Sequence, residues 1–112
     1  MESILNSVKK MLGSTPDYEY FDQDIIIHIN SVFGILNQMG VGPERPFEIA
    51  DASATWDQFI DDSRINMVKS YMYLKVRLLF DPPTGSVLEA MNRQISELEW
   101  RLNVAVDPGE VI

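Results

Sequence analysis

The stretch from about Ser63 to Phe80 constrains the fold more than any other. Ile65, Val68, Met72, Val76 and Leu79 recur at helical spacing, and Tyr71, Leu74 and Leu78 widen that stripe until little polar surface is left. A helix apolar almost all round has to be surrounded, so this segment is predicted to be the central helix, capped by Asp61, Asp62 or Ser63. Asp81-Pro82-Pro83 ends it. Neither proline can donate a backbone hydrogen bond, and the residue before a proline avoids the helical region.

The elements around it follow from the same periodicity. Ile4, Leu5, Val8, Met11 and Leu12 predict a short amphipathic helix over about Ser3 to Leu12, with Lys9 and Lys10 in its last turn and Gly13 as the stop. A second helix begins at Asp22 or Asp24, carries Ile25, Ile29, Val32, Phe33, Leu36 and Met39 on one face, and ends at Gly40. Ile26, Ile27 and Ile35 fall outside that stripe and predict burial on more than one side. Gly40 to Ala54, with Gly42, Pro43 and Pro46, reads as a long irregular loop in which Phe47 and Ile49 can form a short extended piece. Thr55 and Gln58 have capping-box spacing and start a short helix bearing Trp56, Phe59 and Ile60. Ser86 and Glu89 repeat that spacing ahead of the seam Leu88, Met91, Ile95, Leu98 and Leu102, in a last helix to about Val104. Along it Glu89, Arg93, Glu97 and Arg101 are each four apart and predict a ladder of ion pairs.

The expected fold is therefore all-α: a small single-domain bundle of four main helices plus one short helix, with a long loop between the second and third. Residues 1–106 form the helical domain, and Asp107-Pro108-Gly109 releases a tail over residues 107–112. At 112 residues the chain can bury one core without a disulfide or metal staple. The absence of cysteine removes thiol chemistry and cysteine-ligated metal centres. The longest apolar run is only Tyr71 to Leu74, so neither a membrane span nor a signal peptide is expected.

Catalytic chemistry finds little support. His28 follows Asp24 by four, yet no second histidine or cysteine completes a transition-metal site. The acids Asp17, Glu19, Asp22 and Asp24 invite a calcium reading, but an EF-hand loop starting at Asp17 would place glycine at Asp22 and glutamate at His28. Capping and solvation account for them better. Gly40-Val41-Gly42 follows a helix instead of leading into one, which makes a poor phosphate cradle. No serine sits in a nucleophile elbow. An enzyme is not expected, and neither is a cofactor.

Charge is more informative. Residues 1–62 hold eleven acids against three bases, a net −8, whereas residues 63–112 hold six of each. So acidic a chain is a poor duplex binder, since that affinity comes from basic side chains placed against phosphates. Trp56, Tyr71, Tyr73 and Trp100 are accordingly better suited to a core or a protein interface than to base stacking. Lys69, Tyr73 and Arg77 share one side of the central helix. They either snorkel to solvent or pair with Asp57, Asp61 or Asp62 in the same chain, or else meet acids on a neighbouring copy, since head-to-tail rings need two complementary surfaces.

Several segments together resemble the head-tail connector proteins of tailed bacteriophages, the small head-completion adaptors. They are Ser7–Gly13, Phe21–Ile26, Gln38–Pro43, Val68–Pro83 and Glu97–Asn103, in that order, and Tyr73-Leu74-Lys75-Val76-Arg77-Leu78-Leu79-Phe80-Asp81-Pro82-Pro83 is the most specific. The resemblance implies a virion structural protein, made in the host cytoplasm, that forms a ring of about 12 copies beneath the portal protein. Such a ring extends the DNA channel without sequence-specific binding and meets a head-closure or tail-completion protein. It further implies portal docking by the carboxy-terminal segment, here Val104, Asp107, Pro108, Gly109, Val111 and Ile112. Subunit contacts are expected at Lys69, Tyr73, Arg77 and Trp100, and channel or next-ring contacts at Glu44, Arg45, Phe47, Glu48 and Asp51. The alternative is a small acidic helical binding protein, a DNA mimic or inhibitor acting as monomer or dimer.

Overall fold

The computed structural model describes residues 2–106. It contains helices α1 (Ile4–Met11), α2 (Asp22–Gln38), α3 (Trp56–Phe59), α4 (Ile65–Phe80) and α5 (Gly85–Val106). Among the described residues there is no strand, only an isolated bridge between Ser3 and Thr55. The all-α expectation holds, with four main helices, one short helix and the long loop in its expected place.

Helix α4 is central because it packs on α2, α5 and α1. Its Val68, Tyr71, Met72 and Val76 are fully buried, against a core that includes Ile4, Ile29, Phe33 and Leu36. On α5, Met91, Ile95 and Leu102 are buried and Leu88 and Leu98 half-buried, which is the narrow seam its spacing requires.

Some expectations need correcting. Leu79, in the α4 stripe, is 50 % exposed, and Met11, in the α1 stripe, is 44 % exposed. Each lies in the last turn of its helix, where periodicity continues but neighbours no longer cover it. Ile27 is exposed as well, since two residues from both Ile25 and Ile29 it lies on the far side of α2. Helix α5 starts at Gly85, so Ser86 lies inside it instead of capping it, and the helix runs past Val104 to Val106. Helix α4 starts at Ile65, with Asp62 making a turn ahead of it by accepting the Arg64 backbone N–H at 2.8 Å. Of the ion ladder on α5, the pair within reach is Glu97 with Arg101, at 2.7 Å. Solvent competes well for exposed charges worth a few tenths of a kcal/mol each.

The long loop is stitched down by side chains, with no strand at Phe47 or Ile49. Asn30 on α2 accepts the Ile49 N–H at 2.8 Å and donates to the Ile49 carbonyl at 3.0 Å, doing for one residue what a sheet partner would do. Where the loop leaves α2, Gly40 takes φ +80°, the Val41 N–H returns to the Leu36 carbonyl and the Gly40 N–H to that of Asn37. This is a Schellman ending, and Val41 folds back into the core. The same ending closes α1 at Gly13.

Two residues further on, Gly42 has φ +92°, and a Cβ there would lie 2.5 Å from Phe59 Cε1. The Phe59 ring cannot step aside, because Phe33 and Phe47 hold it at centroid distances of 4.6 and 5.4 Å. Gly42→Ala is therefore expected to destabilise the domain by about 2–4 kcal/mol, through overpacking and a left-handed backbone together. Chemical denaturation checks this, and a loss below about 1 kcal/mol would show that the loop shifts freely.

Candidate functional site

The described residues offer surfaces rather than a chemical centre. Among them, no group of three or more His, Cys, Asp or Glu side chains is arranged to hold a metal ion. His28 instead lies edge-on to Phe80, 6.4 Å between ring centroids. Asp22, which the sequence groups with the possible calcium ligands, is paired with Lys9 at 2.8 Å.

The basic side of α4 is largely engaged within the chain. Lys69 pairs with Glu2 at 2.9 Å and lies 5.9 Å above the Trp56 ring, so its partner is neither Asp57, Asp61 nor Asp62. The sequence could not place Glu2 there. It arrives because the Ile4 N–H bonds the Ala54 carbonyl and the Trp56 N–H the Glu2 carbonyl, which lashes the entry of α1 to that of α3. Trp56 is itself buried, its Nε1 donating to Ser7 Oγ at 2.8 Å. Arg77 donates to the Tyr73 hydroxyl at 3.1 Å, and no acid lies within ion-pairing distance of it among the described residues.

Tyr71 and Asp62 are among the ionisable groups that respond to their surroundings. Burial first, and then Glu99 accepting its hydrogen bond at 2.8 Å, holds the Tyr71 hydroxyl protonated far above the ordinary tyrosine range. The Arg64 guanidinium bonded to Asp62 keeps that carboxyl below its usual range, helped by the Arg64 backbone N–H. Tyr71 lies in the core, and Asp62, which lines an open cleft with Glu2, Asp57, Asp61 and Lys69, pairs with Arg64; both account for local structure.

The remaining sequence candidates separate clearly. Glu44, Arg45, Glu48 and Asp51 are exposed along the loop, whereas Phe47 turns inward against Phe33 at 5.0 Å and helps anchor it. Trp100 is 67 % exposed on α5, half a turn round from the seam. Val104 is half-buried within the same helix. Asp107, Pro108, Gly109, Val111 and Ile112 lie outside the described residues.

One surface escapes the sequence reading altogether. Tyr18, Tyr20 and Phe21, 53, 79 and 37 % exposed, gather at the α1–α2 connection. Phe21 packs edge-on against Tyr20 at 4.7 Å and Phe80 at 5.3 Å. Beside them opens a groove of about 380 Å³ lined by Leu12, Thr15, Tyr18, Phe21, Ile25 and Phe80. The available signal was three aromatics within four residues of a polar turn, outside any amphipathic stripe.

A helical module whose distinctive features are exposed apolar patches and segregated charge belongs to the class of assembly proteins. The model of the phage connector protein family matches residues 4–109, and the chain belongs to that family. It is thus a structural connector of a bacteriophage particle. No curated protein and no solved structure matches it. No helix of the described residues is long and apolar enough to cross a membrane.

Proposed function

We propose that this connector assembles as a ring of about a dozen copies beneath the portal, continues the DNA channel and presents a platform to the next head-closure or tail component. The observation that carries the reading is the family match across residues 4–109, which takes in every helix described. Charge is compatible with it: a wall rich in carboxylates lets DNA slide without phosphate contacts that would hold it. Exposed Glu44, Glu48 and Asp51 on the loop are candidates for the channel or the next ring. Electron microscopy of the portal with this protein tests the proposal. A closed ring coaxial with the portal is expected, and a single copy per portal assembly would overturn it.

Portal docking is assigned to the carboxy-terminal segment, Val104 with Asp107, Pro108, Gly109, Val111 and Ile112. Burying Val111 and Ile112 in a portal groove would contribute roughly 3–6 kcal/mol per subunit before the cost of ordering the segment, and a ring repeats the contact. Deleting residues 107–112 is expected to leave helix content and melting temperature nearly unchanged while abolishing attachment to portal-bearing heads. A truncated protein that unfolds would show the tail to belong to the core, and one that still completes heads would place the docking surface elsewhere.

A further inference from the structure

We propose that the aromatic groove at the α1–α2 connection is a socket for a second copy of this chain, which inserts Trp100 from the outer face of its α5. The inference rests on the ring reading and names the contact that would close the ring. The socket is built in advance. Phe21 packs against Tyr18, Tyr20 and Phe80, so the central ring of the socket has little side-chain freedom left to lose when a further ring enters. Exposed Asp17, Glu19, Asp24 and Asp81 lie on the segments that form the groove or adjoin it. Of the nearby ammonium groups, that of Lys9 is buried and committed to Asp22, and the exposed Lys10 leaves these four acids in excess.

That charge selects the occupant. Two sockets face to face would set their carboxylates against each other, which disfavours a two-fold pair, and the same acids disfavour DNA. The outer face of α5 carries no such excess of acid. Arg93, two turns before Trp100 on the same side, and Glu89, a turn further back, are both exposed and offset one another, while Glu97 pairs with Arg101.

Placement fits as well. Helix α5 covers the side of α4 that carries Met67, Tyr71 and Leu74, whereas the groove opens beside Phe80. Plug and socket therefore leave the subunit in different directions, as a head-to-tail contact needs and a symmetric pair does not.

Because the chain has no cysteine, single engineered thiols report the contact directly. Glu19→Cys at the socket and Ser96→Cys, one turn before Trp100, are both at exposed positions. In portal-bound assemblies of mixed copies, a short bis-maleimide should join the two variants, while neither variant alone should cross-link. Trp100→Ala and Tyr20→Ala should each raise the concentration needed for assembly at least tenfold while leaving the melting temperature of the free subunit unchanged. Glu19→Cys copies that cross-link to each other, or rings that form normally with Trp100→Ala, would overturn this interface and leave the ring standing. Single portal-bound copies of the parent protein would overturn the ring, and this contact with it.

Discussion

Val76→Asp is expected to yield a chain with no cooperative unfolding transition and the far-ultraviolet circular dichroism of a largely unfolded protein, whereas Leu79→Asp on the same helix should fold. Val76 is 0 % exposed. Its replacement forfeits about 1.5–3 kcal/mol of apolar burial and leaves a carboxyl group without a partner. Kept charged, that group is uncompensated in the core. Kept neutral, it must hold at pH 7 a proton that an unfolded aspartate loses at a pKa of about 3.9, which costs roughly 4 kcal/mol. The sum is comparable with the whole stability of a domain this size, about 5–15 kcal/mol. Leu79 is half exposed, so an aspartate there keeps its water and should cost no more than about 1–2 kcal/mol. Thermal melts of the two variants decide it, and equal losses at both positions would contradict the placement of α4.

The second large effect is expected at the ion pair between Lys9 and Asp22, and it should be asymmetric. Lys9 is 1 % exposed, Asp22 20 %, and Nζ to Oδ1 is 2.8 Å. The Lys9 ammonium also donates to the Pro16 carbonyl at 3.2 Å, pinning the connection between α1 and α2. Asp22→Ala strands a buried ammonium and should destabilise by about 3 kcal/mol, the low end for a broken buried pair because water reaches this one from the aspartate side. Lys9→Met leaves an apolar side chain in the core and a carboxylate that can rehydrate, and should cost about 1 kcal/mol or less. The double variant should be more stable than Asp22→Ala alone. Denaturant unfolding gives the order directly. If Lys9→Met proves the costlier single change, the pair contributes through something other than the buried charge.

Both predictions turn on distinctions that local pattern does not carry. Val76 and Leu79 occupy the same stripe and look equivalent by spacing, yet Val76 is buried and Leu79 half exposed. Lys9 reads as a base favourably placed in the last turn of α1, and Asp22 as an acid in the first turn of α2. Each is correct as far as it goes. Their union needs the intervening turn to fold back so that residues thirteen apart meet.

The sequence by itself determined the helices, most of their ends, the central rank of α4 and the seam of α5. It also determined the family, through ordered motifs that the match to residues 4–109 bears out. Helical period, capping residues, glycine stops and prolines act within a few residues of themselves, so they can be read in one dimension. Only the tertiary structure decided that Lys69 turns to Glu2, that Phe47 anchors the loop instead of displaying it, and that Phe21 meets Phe80 beside an open groove. Those outcomes depend on which distant segments share a surface once the core closes. The core closes through burial of apolar area, which is non-directional and names no partner in advance.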